Sequence, residues 1–283
     1  MVYVFVIIGI LLIAAVGVIA YDSNRFVVRK ISLEDPKIPK ETTCLFISDL
    51  HNRHFGKRNE TLIRALDEIE ADCALLPGDI MTASKNAKFN EAVRILDYLN
   101  KRMPVFYSYG NHESRAKKIR RIYGDLFDRY SQAVSGKFVK LYDNETAEFN
   151  GLKIVSLTLP ERYYYKHKKE DLSADDLRLL IGEPDPDRFA ILLAHDPEYF
   201  EAYSEYGAQL VLSGHFHGGI VRLFGHGLIS PRFKLFPKYA YGTFEKNKTK
   251  MIVSAGLGGH TIPWRMFNPG EIVVLKLVPG KNK

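Results

Sequence analysis

The sequence predicts an α/β domain behind a single N-terminal membrane-spanning helix, and three observations carry that reading. Residues 2–20 contain no charge. Beyond residue 43, short apolar runs alternate with segments whose apolar residues recur at helical spacing. The second half of the chain is richer in strand-like runs than in helical ones.

Length justifies the first element. At ~1.5 Å per residue, a helix over residues 2–20 measures about 28 Å, close to the hydrocarbon thickness of a bilayer. A cleaved signal peptide, cut near Val18-Ile19-Ala20, is the competing reading. No basic residue precedes the run, and it is longer than a usual signal core, so the expectation is a retained anchor over residues 1–21. Arg25, Arg29, Lys30, Lys37 and Lys40 follow it. By the positive-inside rule they place the remainder on the cytoplasmic side of the cell membrane, as a single-pass protein.

Residues 22–42 mix charges with isolated apolar residues and end in Glu34-Asp35-Pro36-Lys37-Ile38-Pro39-Lys40. Pro36 and Pro39 disfavour helix and push the residues before them toward extended backbone. The expectation is an extended linker, with an edge strand over residues 26–28.

The domain then runs from 43 to 279. Residues 44–47, 73–76 and 105–108 read as buried strands, with helices at 61–69 and 90–99 between them. That βαβαβ order implies parallel pairing with helical crossovers. Residues 114–130 read as one helix bearing Arg115, Lys117, Lys118, Arg120 and Arg121, either a solvated face or a surface for phosphate or lipid headgroups. Further strands are expected at 153–159, 190–193, 210–212, 251–254 and 272–277.

Composition narrows little. A net charge of +7 suits an anionic substrate or membrane surface and does not exclude nucleic acid. Cys44 and Cys73 form neither a disulfide framework nor a zinc spacing, and read as small buried apolar residues.

Five short segments carry the chemistry, each just after an expected strand. They are Asp49-Leu50-His51, Gly78-Asp79, Gly110-Asn111-His112-Glu113, His195, and Gly214-His215-Phe216-His217-Gly218. Groups at successive strand ends can converge on one rim of a sheet, where open α/β sheets place their sites. Asp, His and Asn without thiolate suit divalent ions such as Mn, Fe, Zn or Ni. That many such groups exceed what one tetrahedral ion needs, which implies two ions. Such a pair can clamp a phosphate and activate water for in-line attack.

Together these motifs resemble the calcineurin-like metallophosphoesterases, whose pattern runs D-x-H, GD, GNH(D/E), H, GHxH. The likeness covers residues 43–277 and implies a sandwich of two mixed β-sheets flanked by helices. It makes Asp49, His51 and His217 ligands of one metal, and Asn111, His195 and His215 ligands of the other, with Asp79 bridging. His112 matches the catalytic histidine of the family, which assists attack on phosphorus by stabilising the transition state or protonating the leaving oxygen. Glu113 matches the acidic position that orients its neighbours without binding metal.

Departures narrow the expectation. Ile80-Met81-Thr82 follows Gly78-Asp79 where Ser/Thr protein phosphatases carry Asp-Arg-Gly. Gly218-Gly219, Gly256-Leu257-Gly258 and Pro263-Trp264-Arg265 resemble membrane-associated bacterial phosphodiesterases, some of which cleave the pyrophosphate of a UDP-linked acyl sugar. Ile220 stands where members with the paired glycines often carry Gln.

The expected activity is therefore a metal-dependent phosphodiesterase or phosphomonoesterase acting on a phosphorylated small molecule or lipid. No obligate protein partner is implied, and nucleic acid is not the expected substrate. A metal-binding scaffold without catalysis and a nuclease are the alternatives. Arg53, Arg222, Arg232, Lys234 and Arg265 are candidate phosphate contacts, while His54, His167, His226 and His260 read as surface or structural. Residues 231–241 mix Phe233, Phe236, Tyr239 and Tyr241 with Arg232, Lys234 and Lys238, which suits core packing or a membrane interface.

Overall fold

A computed structural model describes residues 1–136, 139–164, 169–230, 233–259 and 264–281. The apolar run forms helix α1 (Val2–Ser23), long and apolar enough to cross a membrane, with none of its most apolar window buried against the rest of the chain.

Two six-stranded mixed sheets follow among the described residues. The first contains β1 (Phe26–Asp35), β2 (Thr42–Phe46), β3 (Cys73–Leu76), β4 (Val105–Ser108) and β5 (Val139–Tyr142). The second begins with β6 (Thr146–Phe149), β7 (Leu152–Leu157), β8 (Ala190–Ala194) and β9 (Leu210–Ser213). A small hairpin, β10 (Val221–Leu223) and β11 (His226–Ile229), stands apart. The chain then adds β12 (Gly242–Lys246) and β13 (Thr249–Val253) to the second sheet and β14 (Gly270–Pro279) to the first. The orders are β1-β14-β2-β3-β4-β5 and β12-β13-β9-β8-β7-β6.

The strands that precede the metal-type motifs are parallel within each sheet: β2, β3 and β4 in one, β8 and β9 in the other. Alternation along the strands decides the layers. Cys44, Phe46, Cys73 and Leu75 face inward and pack on Ile191, Leu193, Leu210 and Leu212 of the second sheet. Leu45, Ala74, Leu76 and Tyr107 face outward onto α2 (Glu60–Asp67) and α3 (Asn90–Asn100), where Leu62, Leu66, Ile95, Leu96 and Leu99 are buried. Each such side chain contributes about 1.5–3 kcal/mol of burial. The two buried thiols, Cys44 and Cys73, are register partners across β2 and β3.

Three expectations change. The segment expected to be a linker is extended, but residues 26–35 form a full strand paired in parallel with β14, so about half of it belongs to the sheet. Charged Arg29 and Lys30 suit an edge position, and Pro36 ends the strand. The single helix expected over 114–130 is broken into α4 (Asn111–Lys118), α5 (Arg120–Tyr123) and α6 (Leu126–Val134). Ile119 leaves helical backbone (ψ 58°) and Gly124 turns left-handed (φ 60°), which interrupts the ladder twice. Helices α7 (Ala174–Ile181) and α8 (Phe200–Tyr206), unanticipated, cover the outer face of the second sheet.

Candidate metal centre

Loops after β2, β3, β4, β8 and β9 meet where the two sheets abut. Backbone hydrogen bonds stitch them together: Asp49 N–H to Gly78 O (3.1 Å), His51 N–H to Asp79 O (3.1 Å) and Gly214 N–H to His195 O (3.1 Å). His215 N–H donates to the Asp49 carboxylate (3.1 Å), joining one sheet's loop to the other's. The packing leaves no room for side chains at two glycines. A Cβ on Gly110 would lie 2.2 Å from Asp79 Oδ1, and one on Gly214 would lie 2.0 Å from Asp49 Oδ2.

Asp49, His51, Asp79, His215 and His217 all hold left-handed backbone, with φ between 47° and 71°. Such conformations cost residues with a Cβ free energy and gather at functional sites.

The candidate ligands fall into groups. Asp49, His51 and His217 bring one ligand atom each within 4.8 Å of the others, and so do Asp79, His195 and His215. The first group has the residues of one set implied by the resemblance; the second joins His195 and His215 to Asp79, the bridging candidate, rather than to Asn111, and Asp79 Oδ2 lies 3.0 Å from His195 Nε2 and 3.7 Å from His51 Nε2. Asn111 opens α4, and its Oδ1 is buried without a hydrogen-bond partner. A buried oxygen lone pair left unmet is costly unless a cation takes it. Two buried carboxylates side by side make the same demand. The donor set, carboxylate, imidazole and amide oxygen, fits hard or borderline divalent ions.

Electrostatics agree. Burial pushes the Asp49 carboxyl up to about 6. Burial also works against charge on Asp79, but His195 above all holds it well below the usual carboxylate range. Burial would lower His195 too, yet Asp79 and Asp49 raise it to about 9.

His112 is held differently. Its Nδ1 accepts the Ala83 N–H (2.9 Å), so in the neutral ring the proton sits on Nε2. Burial lowers its pKa, which favours the neutral form. Its own N–H donates to Asp79 Oδ1 (2.8 Å), and its ring meets His51 edge-on at 4.8 Å. His51, Asp79 and His112 also satisfy the 4.8 Å grouping, so distance alone does not separate ligand from hydrogen-bond donor at this position. The engaged Nδ1 and the hydrogen on Nε2 leave the ring a hydrogen-bond donor toward the centre rather than a lone-pair ligand.

Around these groups lies a supporting layer. His217 Nδ1 faces Gly258 O at 3.3 Å and therefore donates to it, which aims Nε2 at Asp49 Oδ1, 3.5 Å away. Asn268 Nδ2 donates to His217 O (2.7 Å). Ser48 Oγ donates to Asp49. Ser48, Asn268 and the role of Gly258 carried no motif that would have marked them in the sequence.

The basic residues expected near phosphate have other partners where they are described. Arg265 is buried, and its guanidinium donates to the main-chain carbonyls of His217, Ala255, Gly256, Gly258, Asn268 and Pro269. It holds the His217 loop from behind rather than offering itself to a substrate. Arg222 is buried with its guanidinium over the Tyr241 ring (3.9 Å). Arg53 donates to Ser23 O (2.8 Å) and Asn24 Oδ1 (2.9 Å), so it ties the first motif to the end of α1. Lys234 pairs with Glu198 (3.0 Å). Arg232, His167 and His260 lie outside the described residues.

Residues 42–219 match the family model for calcineurin-like phosphoesterases. The chain belongs to the calcineurin-like phosphoesterase family. Similar proteins of this family include the Bacillus subtilis metallophosphoesterase YkuE, 30% identical over 77% of this chain and 72% of that protein. A metallophosphoesterase of Helicobacter pylori is 27% identical over 87% of this chain, which spans only 62% of that relative's length. A Chlamydia muridarum protein named UDP-2,3-diacylglucosamine pyrophosphatase LpxG is 23% identical over 87% of this chain and 88% of its own. The two-sheet architecture is the one expected of a calcineurin-like phosphoesterase.

Proposed function

We propose that this chain is a membrane-anchored, metal-dependent phosphoester hydrolase. The observation that carries the reading is the convergence of five strand-end loops, which bring Asp49, His51 and His217, and Asp79, His195 and His215, into two groups of ligand atoms each within 4.8 Å. Asp49, His51 and His217 would hold one divalent ion, Asn111, His195 and His215 a second, and Asp79 would stand between them. Two such ions, manganese among the candidates, supply charge neutralisation at a phosphate and a water of lowered pKa.

The protein's own groups then have definite tasks. His112, neutral with its hydrogen on Nε2, stands at the edge of the centre, where it is placed to donate a hydrogen bond to a phosphoryl or leaving oxygen and stabilise charge developing there. Gly258 O fixes the His217 tautomer, and Glu113 fixes the loop that carries Asp79. Left-handed backbone at the ligands, held by surrounding hydrogen bonds, keeps the donors preorganised.

In this reading residues 1–21 anchor the chain and residues 43–279, with β1, form the phosphoesterase domain. The basic residues after α1 favour a cytoplasmic domain. A membrane-linked phosphodiester or pyrophosphate, such as a UDP-linked acyl sugar, is the favoured substrate class. The anchor supports it, as does the relative named for that pyrophosphatase activity.

The test is hydrolysis of bis-p-nitrophenyl phosphate, p-nitrophenyl phosphate and a UDP-linked acyl sugar by the full chain in detergent, with manganese and with chelator. Chelator-sensitive turnover supports the reading, and the substrate ranking assigns the class. Turnover indifferent to chelator would sink it.

A further inference from the structure

Where α1 ends, the chain presents a surface that neither the core nor the metal centre uses. Phe224, Phe233, Leu235, Phe236, Trp264 and Phe267, on the β10–β11 hairpin and the two segments bonded to it, are between 48% and 98% exposed. They come from separate segments that hydrogen bonds join into one platform. Arg222 N–H donates to Met266 O (3.1 Å) and Met266 N–H to Ile220 O (3.0 Å), which fastens the 264–267 segment along β10. On the other side of the hairpin, Phe236 N–H donates to Leu228 O (2.9 Å) and Phe233 N–H to Ser230 O (2.8 Å).

Four of the six, Phe224, Phe233, Phe236 and Phe267, hold left-handed backbone, with φ between 47° and 61°. That conformation costs a residue with a Cβ about 1–2 kcal/mol. Glycine would relieve the strain at each position, yet a large aromatic side chain stands there and points away from the core. An exposed apolar patch of this kind marks a contact with something outside the chain.

The position of the patch identifies the partner. Arg265 N–H donates to Ser23 Oγ (3.1 Å), and Arg53 holds Ser23 O and Asn24 Oδ1, so the last turn of α1 is bonded to the platform and to the first metal motif together. A helix that crosses a bilayer brings its end to headgroup level, and a surface bonded to that end lies at the same level. Aromatic side chains are enriched at that depth. Lys234 and Lys238 nearby are paired with Glu198 and Glu201.

We infer that this platform is a second membrane contact, in which the exposed aromatic residues of segments 224–236 and 264–267 enter the headgroup layer of the bilayer beside α1. The contact adds a seat to the tether. It fixes the domain's orientation, with the His217 loop directly behind it through Arg265 and Asn268. Its strength depends on apolar insertion, about 5–10 Å into the headgroup boundary, rather than on charge, so added salt leaves it intact.

The inference rests on the proposed anchor, and the chain carries its own probe, since Trp264 is its single tryptophan. The full chain is reconstituted in phosphatidylcholine–phosphatidylglycerol vesicles. Trp264 emission is read against lipids brominated near the headgroup end of the acyl chain and against aqueous iodide. The expected result is blue-shifted emission, quenched by bromolipid and sheltered from iodide at low and high salt. A Phe224→Ser/Phe236→Ser double variant should lose most of the bromolipid quenching while keeping its bound metal and its place in the vesicles. A chain that resists alkaline extraction but whose Trp264 is quenched by iodide and not by bromolipid overturns the platform alone. Trp264 sheltered from both quenchers, as a protein partner or second copy would produce, overturns it as well. A chain that alkaline extraction removes overturns the anchor and the platform together.

Discussion

Glu113 accepts the backbone N–H of Asp79 at 2.8 Å, and through that bond the loop after β3 is locked to the start of α4. The same carboxylate receives the N–H groups of Gly110, Ile80 and Met81 and the Tyr107 hydroxyl (2.6 Å). It shapes the loop that presents Asp79 without being grouped among the candidate ligands. Burial pushes its pKa up to about 7, while these donors favour the anion. In Glu113→Gln one acceptor oxygen becomes an NH2 facing N–H donors, and each hydrogen bond to a charged acceptor lost is worth about 1.5–3 kcal/mol. Thermal unfolding and metal content should both fall. Unchanged metal content at unchanged stability would contradict the orienting role.

Gly214 and Asp49 approach so closely that a single methyl group separates function from its loss. Gly214→Ala places a carbon in the space of Asp49 Oδ2 and Ser48 Oγ, both 2.0 Å from the ideal Cβ. The carboxylate must rotate away, at a cost of about 1–3 kcal/mol in stability. Metal titration should register the change as weakened binding in a still-folded chain; full-affinity binding would mean that Asp49 is not a ligand.

Metal affinity should climb with pH between about 6 and about 9. Bound ions require deprotonated ligands. His195 holds its proton up to about 9 because Asp79 and Asp49 outweigh burial, and Asp49 holds one up to about 6 because of burial. Raising pH through these values removes the competing protons first from Asp49, then from His195. Chelator-competition titrations across the range check this, and an affinity flat from pH 6 to 9 would be inconsistent with His195 as a ligand.

Arg265→Lys separates support from substrate contact. Three ammonium donors cannot serve the six carbonyls that the guanidinium reaches, so the variant should lose at least about 2 kcal/mol of stability and weaken the site around His217. A variant of normal stability with only a raised KM would return Arg265 to the substrate contacts.

Much of this was legible in the sequence because the informative features are local. β3 and β4 coincide with the apolar runs at 73–76 and 105–108, and α2 and α3 with the spacing of Leu62 and Leu66 and of Leu96 and Leu99. The metal-type residues announced themselves because each sits within a few residues of a strand end. What stayed hidden depends on contacts distant in sequence. Nothing near Phe26 says that it will pair with Gly270, and nothing near Arg265 says that its donors are claimed by carbonyls from 217 to 269. Helix α7 had a readable start, since Ser173 and Asp176 form a reciprocal cap, but its eight residues are too few for periodicity to stand out. Phe233 and Phe236 were legible as core packing or a membrane interface, but their association with Phe224 and Phe267 was not, because the hairpin and the 264–267 segment meet through tertiary hydrogen bonds.

The central claim, a two-ion hydrolase in which His112 acts as hydrogen-bond donor rather than ligand, is tested most directly by measuring metal content and turnover together. Both are determined for the full chain and for His112→Ala, with bis-p-nitrophenyl phosphate as substrate and manganese supplied. The account predicts two ions per chain in each protein and a loss of turnover in the variant of about 10²–10³-fold. Wild-type turnover in His112→Ala, or the loss of an ion with the imidazole, would contradict it.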